Sequence, residues 1–469
     1  MIPIIPFSFL LLTIYWIRYF FLYSKNCKMQ FHILLFVTIM FIPKINLLSV
    51  STLSTAGIRA DDIIVALLLV ASWNPQNYND KLCIKGLKIL LLLSCSCIIA
   101  LMLGLIKGYG NSIAFAILVI VRRFEYFSLF LSGLHIARVT KNFEAVFYKE
   151  FTILNIGYAI VALLQVVGLC SYAVSGGEKA NFFGGMAVST FNGYYEYGMF
   201  LCMSAAYYLC HYLKNKNRRS LAMLIALCVL LYLTNSRTTL IAFIFVFILI
   251  IITPVERKSK KPIRIIKTMV IIFSIILLIG FSTGLIGEKQ LGRLSNVNII
   301  EMWKYLYNNI KTRDFMSYVQ LYRSGIRVTQ VMGESKDISA GIRFYKWGAA
   351  LNGFFKNFLF GYGSGVTHVM DGNYVKILAE TGTIGAFLWY KYWSLYQNNL
   401  KRYRNLCCYV ESSYFMMLSV LFGALFIDMF EASKIMEFLW MMVGASIYII
   451  KSRYIIDDTK LVADNHVFI

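Results

Sequence analysis

The chain of 469 residues is 59% hydrophobic and only 15% charged, with six prolines, proportions that exclude an ordinary soluble domain. Its formal net charge of +23 invites a nucleic-acid partner, but the basic residues gather in short loops between apolar runs, the pattern that sets membrane orientation. No nucleic acid is expected.

In chain order, apolar runs fall at 5–24, 30–43, 61–74, 86–106, 111–136, 148–170, 191–212, 219–235, 237–253, 267–286, 373–396, 410–428 and 434–450. At about 20 residues per helical crossing of a core about 30 Å thick, they predict an all-α polytopic membrane protein with about 12–14 transmembrane helices. The lipid bilayer is its solvent. The whole chain, 1–469, reads as a single integral membrane domain. The first run lacks a basic n-region and a small-residue cleavage site, so it is expected to stay in the mature protein.

The loops "KNKNRR" (214–219), "ERKSKKPIR" (256–264), "KRYR" (401–404) and "KSR" (451–453) are rich in Lys and Arg and are expected in the cytoplasm. Residues 171–190, 235–237 and 287–372 then face outward, and the C-terminus lies inside, ending in a tail (455–469) that reads as disordered. The stretch 287–372 is a long outer loop between spans, far beyond usual connection lengths. It carries eleven Lys and Arg against six Asp and Glu. Loops that long translocate largely regardless of charge, yet a cationic outer surface also suits a phosphate-bearing substrate.

The ten cysteines are scattered and none lies in that loop, so no disulfide framework is expected there, and no His/Cys spacing fits a metal. His368 is the single histidine expected on the outer face. Neither a Walker A motif, a dinucleotide fingerprint nor an Asp-x-Asp pair appears. Neither cofactor nor metal is expected, and a transfer reaction would draw its energy from an activated substrate. In a membrane, a lipid-linked pyrophosphate is such a substrate.

Arginines at membrane boundaries are costly and persist mostly where they face a cavity or partner. Arg237 in "TNSRTTL" opens a span, and Arg343 in "SAGIRFYKWGAAL" opens an amphipathic helix; both suit a grip on two phosphate oxygens. Arg122 and Arg123 in "VIVRRFEYF" lie inside an apolar run, where Glu125 and snorkelling to the inner face explain them as well as a substrate would.

The segments "STFNGYYEYGMFL" (189–201) and "TNSRTTLIAF" (234–243), the set Arg343, Trp347, Ala350 and Leu351, then "NFLFGYGSG" (357–365) and "DGNYVKILAETGTIG" (371–385), stand in an order that resembles the O-antigen polymerase and ligase superfamily. Wzy-type polysaccharide repeat-unit polymerases are one branch of it. The resemblance covers most of the chain and implies a multi-pass glycosyltransferase of the bacterial cytoplasmic (inner) membrane with its active site facing the periplasm or cell exterior. Its substrates would be glycans linked to undecaprenyl pyrophosphate, and its partners a chain-length regulator and a flippase. On that resemblance Arg237 and Arg343, with Arg323 and Arg327, would hold the pyrophosphate, and Asp371 or His368 would orient or deprotonate the attacking hydroxyl. Tyr345, Asn373, Tyr374 and Arg123 would bind substrate, while Tyr318, Tyr322 and Trp347 suit sugar stacking or packing equally. Glycines in "GYGSG" would turn the chain sharply, and Gly382 and Gly385 would admit a neighbouring helix.

Ligases of the superfamily carry a histidine followed by asparagine where this chain has Asp371 and Gly372, which favours a polymerase. Two rivals remain. A ligase would join finished polymer to a lipid core or a protein. A flippase or transporter of lipid-linked sugars would show internal repeats and helices broken at the midplane.

Overall fold

The computed structural model describes residues 1–23, 27–49, 57–74, 80–109, 113–174, 177–180, 182–253, 299–324, 338–367 and 370–465. Those residues are overwhelmingly helical: α1 (Ile4–Tyr23), α2 (Cys27–Phe41), α3 (Ala60–Ala71), α4 (Lys81–Ile106), α5 (Ile113–Val139), α6 (Phe143–Val166), α7 (Tyr194–Asn215), α8 (Arg218–Leu233) and α9 (Arg237–Ile252) precede α10 (Ile299–Thr312), α11 (Phe315–Arg323), α12 (Ile338–Lys356), α13 (Asn373–Tyr403), α14 (Cys408–Gly423) and α15 (Ser433–Asn465). Two small hairpins complete the set, β1 (Asn46–Ser49) with β2 (Gly57–Arg59) and β3 (Tyr172–Val174) with β4 (Gly177–Lys179). This is an all-α polytopic membrane architecture. Each apolar run of the sequence coincides with a helix, except 267–286, which lies outside the described residues.

Among the described residues, four helices are long and apolar enough to cross a membrane by composition: Ile4–Leu22, Lys81–Ile106, Phe143–Val166 and Ser433–Arg453. α5 and α7 match them in length, at 27 and 22 residues, but carry Arg122, Arg123, Glu125 and Glu196, whose charges dilute the apolar run. α3, with 12 residues, spans only about 18 Å, well short of a hydrocarbon core of about 30 Å. The expected disordered tail is instead helical through Asn465, with neither Gly nor Pro after Gly444 to stop α15.

Local signals set several starts. Asp80 caps α4 by accepting from Leu82 N at 2.7 Å, and Asn217 caps α8 by accepting from Arg219 N at 3.0 Å. α15 runs through the centre of the bundle. A Cβ on Gly133 would overlap the Met441 carbonyl and one on Gly444 the Phe130 carbonyl, so α5 and α15 cross at backbone distance, as small residues permit in membrane bundles.

The two ends of the bundle differ. At the basic end, Lys451 pairs with Asp80, and Arg453 pairs with Glu144 and donates to the Leu406 carbonyl at 3.1 Å, tying α15 to the α4 start, the α6 start and the α13–α14 connection. The opposite end carries the long connections, among them α10 to α12, and is called the loop-bearing end below. There the N-terminus is pinned as well: Ile2 N donates to the Leu169 carbonyl at 2.7 Å and Ser171 N to the Ile2 carbonyl at 3.0 Å.

α13 is not one continuous helix. Gly382 has φ 64° and ψ −164°, and the backbone groups released by that break are taken up by the segment 358–363. Tyr362 N donates to the Ala379 carbonyl and Gly363 N to the Glu380 carbonyl, both at 2.9 Å, while Thr383 N and Ile384 N donate to the Phe358 and Leu359 carbonyls at 2.7 and 3.3 Å. An irregular segment, and not a neighbouring helix, therefore approaches Gly382. Non-helical backbone survives at membrane depth only when protein satisfies it in this way. A Cβ at this position would fall on the Leu359 carbonyl and lie 2.6 Å from Phe360 N, and a side chain at positive φ adds strain of about 1–3 kcal/mol. Gly382→Ala is therefore expected to lower the thermal midpoint of the detergent-purified protein by several degrees, whereas Ala386→Gly, at a partly exposed position of the same helix, shifts it less.

Candidate functional site

The sequence places its amphipathic arginine helix, α12, next to the turn before α13, and one contact fixes the two together. Trp347 Nε1 donates to the Asp371 carbonyl at 2.6 Å, and Lys346 Nζ lies 3.6 Å from Asp371 Oδ2. Arg343, Lys346 and Trp347 stand at i, i+3 and i+4, one face of the helix. Arg343 is partly exposed, yet its Nε is buried and meets no hydrogen-bond partner among the described residues. Buried guanidinium nitrogens are normally bonded, so this donor is set up for an acceptor.

The turn at 371–373 joins that helix to a second polar group. Gly372 has φ 90°, and a Cβ there would meet both Trp347 Nε1 at 2.6 Å and the Leu425 carbonyl at 3.2 Å. Asn373 N donates to the Ala424 carbonyl at 2.9 Å. Its side chain donates from Nδ2 to Asp428 Oδ1 and accepts from Phe430 N at 3.0 Å. One turn into α13, Lys376 Nζ lies 3.5 Å from Asp428 Oδ2 and donates to Glu431 Oε1. The Lys376 side chain is 3% exposed, while Asp428, Glu431 and Asp371 keep 21%, 30% and 33% of their surface.

These carboxylates sit in the connection between α14 and α15, outside both helices. α14 has 16 residues, about 24 Å, and its penultimate Phe422 stacks on Phe245 with centroids 4.2 Å apart. Phe245 lies eight residues into α9, so the connection begins about 12 Å below the level of Arg237. The result is a recessed basin. Burial first, then the neighbouring Glu431 carboxylate, pushes the Asp428 carboxyl up to about 8. Burial also acts on Glu431, but Lys376 outweighs it and holds that carboxyl below its usual range. Both face Lys376, and their titrations are linked.

Deeper on the same side, Arg123 donates to Cys97 Sγ at 2.8 Å and Arg122 to the Gly57 carbonyl at 3.3 Å. α5 enters from the loop-bearing end, so the two arginines point into that half of the bundle and do not snorkel to the basic end. Arg123 is within electrostatic reach of Glu380 and Glu431. Glu380 accepts from Thr367 N at 3.1 Å and from its hydroxyl. A buried network adjoins it: Arg59 faces Asp61, Asp62, Glu125 and Glu437 at 3.3, 2.7, 3.7 and 3.5 Å, Lys44 pairs with Glu196 at 3.0 Å, and Lys434 donates to Thr190.

The other expected site residues are distributed as follows. Arg237 is the exposed first residue of α9. Arg323 ends α11, and Arg327 and His368 lie outside the described residues. Tyr345 is buried among Phe315, Tyr318 and Tyr362, with Arg313 5.0 Å over its ring. Tyr374 donates to the Leu421 carbonyl at 2.8 Å and packs edge-on against Trp389 and Phe430. Lys376, Asp428 and Glu431 escaped the sequence reading, although "NYVKILAE" and "FIDMFEASK" put isolated charges inside apolar text, the signal that marks functional positions in membranes.

The quoted segments also meet one another. A Cβ on Gly198 would strike Thr239, joining 189–201 to 234–243, and the strap 358–363 lies on 379–384. Residues 221–390 match a family model described as O-antigen ligase. No curated protein matches the chain. Removing Lys376 leaves two adjacent, partly buried carboxyls without their cation, a loss of at most about 3–5 kcal/mol, the cost of breaking a fully buried pair. Lys376→Met is accordingly expected to unfold well below the wild type in a detergent thermal-shift measurement, and Asp428→Asn added to it to recover part of the loss.

Proposed function

Taking as premise the O-antigen polymerase and ligase superfamily, which the match over residues 221–390 supports, we propose that the protein polymerises oligosaccharide repeat units carried on undecaprenyl pyrophosphate. The reaction takes place at the loop-bearing end, on the outer side of a bacterial inner membrane in this reading, in keeping with the Lys- and Arg-rich loops at the opposite end. A growing glycan on one carrier is the donor. A single repeat unit on another is the acceptor, whose sugar hydroxyl attacks the donor's anomeric carbon and displaces the carrier pyrophosphate.

The observation that carries this reading is Arg343, whose unpartnered Nε stands on the same helix face as Lys346, one turn from Trp347 and the Asp371 turn. Two cations on one face match a pyrophosphate, on which charge grows as the bond to the sugar breaks. Arg237, at the outer start of α9, is the second arginine, with Arg323 and Arg327 supplied by the stretch 287–372, the outer loop of this reading. Asp371 or His368 orients the acceptor. Asn373 and Tyr374 set the start of α13 beneath the glycans, while Tyr345 and Arg123, assigned to substrate by the sequence, support the site from buried and partly buried positions. The chemistry draws on the pyrophosphate leaving group itself.

The printed description of the matching family favours one second reading, a ligase that moves finished polymer to a different acceptor. Asp371–Gly372, where ligases carry histidine and asparagine, supports the polymerase instead.

The test is reconstitution with the lipid-linked repeat unit. Wild-type protein is expected to yield a ladder of lengthening glycans on a gel. Arg343→Ala and Arg237→Ala are each expected to slow it about 10²–10³-fold, the usual loss for one transition-state donor, and Arg343→Lys to recover little of it. Normal chain length in both alanine variants sinks the arginine assignment, and reaction only on adding a lipid-core acceptor favours the ligase.

A further inference from the structure

The polymerase reading leaves the attacking hydroxyl's proton without a firm destination, because Asp371 is tied to Lys346 on the arginine helix. Packed against the same turn are two carboxyls that the family-matching segment does not include. A Cβ on Gly372 would touch both Trp347 Nε1 and the Leu425 carbonyl, so the arginine helix and the 424–432 connection both meet residues 371–373. A displacement at the anomeric carbon needs a leaving-group cradle and a proton acceptor gathered around one sugar.

Resting on the polymerase reading above, we propose that the Asp428–Glu431 pair is the proton acceptor for the attacking sugar hydroxyl, with Lys376 and Asn373 as positioning residues. The hydroxyl oxygen forms the new bond to the anomeric carbon. The bond from that carbon to the pyrophosphate oxygen breaks, its electron pair leaving with the carrier pyrophosphate. The hydroxyl proton passes to the pair, whose charge becomes one unit less negative.

Three observations support this. The pair is held from below, Asp428 by Asn373 and Lys376 and Glu431 by Lys376, while both carboxyls keep open surface toward the basin. Both carboxyls face Lys376, so when one takes up the proton the other still answers that buried cation. The connection is recessed by the short α14, which brings the pair under Asp371 and within electrostatic reach of Arg123, below the level where a carrier headgroup arrives.

The experiment uses membrane vesicles from producing cells that lack the chromosomal gene, which hold the cognate lipid-linked repeat unit, supplemented with full-length protein. Asp428→Asn/Glu431→Gln is expected to lower kcat at least about 10²-fold, the lower range for removing a general base, with KM within about threefold. Glu431→Asp is expected to restore part of kcat. Wild-type kcat in the double variant, or a loss confined to KM, overturns the proposal while leaving the polymerase reading intact. If the double variant loses its monodisperse peak, Glu431→Gln alone decides by the same criteria, since Gln still accepts from Lys376. Failure of wild-type protein to lengthen glycans in these vesicles overturns the polymerase reading and the proton acceptor with it.

Discussion

Charge buried in a bundle of apolar helices must find its counter-charge, and that constraint organises the loop-bearing half of this protein. Arg59 draws together Asp61, Asp62, Glu125 and Glu437 from three helices; Lys376 does the same for the α14–α15 connection, and Lys44 for the start of α7. Such pairs add little net stability over apolar packing, yet removing one partner is costly. They therefore act as registry devices that fix which helix ends meet, and the basin exists because those ends are held in register.

Backbone polarity imposes the same demand at Gly382. The break in α13 frees carbonyls and amides that lipid cannot satisfy, and the strap 358–363 answers them bond for bond. Discontinuous helices in transporters present such groups to a substrate; here Phe358, Leu359, Tyr362 and Gly363 occupy them. The glycine-dense passage before α13 is thus a structural partner of the helix that follows it, with Gly361, Gly363 and Gly365 all at positive φ.

Much of the fold was legible because hydrophobic length is a local signal: the run 86–106 became α4 with a modest shift at its start, and 434–450 became the first half of α15, which continues into the polar tail. The break at Gly382 was not, since "AETGTIG" reads as a packing stripe until a segment some twenty residues upstream is laid against it. The arginine helix and its turn were legible from Arg343, Trp347 and Asp371. The carboxylates were not, because Asp428 fell inside the apolar run 410–428 and only the shortness of α14 reveals that the chain has already left the helix.

The ties at the basic end add a mechanical consequence. Lys451 with Asp80, and Arg453 with Glu144 and Leu406, clamp several helix ends into a rigid foot, whereas α12 is carried at the far end on the strap, on the Trp347 and Lys346 contacts with Asp371 and on α10, whose Ile310 carbonyl accepts from Asn352. In the proposed reading an anion held by Arg343 would load α12, which continues directly into the strap. That load would reach the interruption in α13 through four backbone hydrogen bonds, which would make the glycine break a fulcrum between the anion and the floor of the basin.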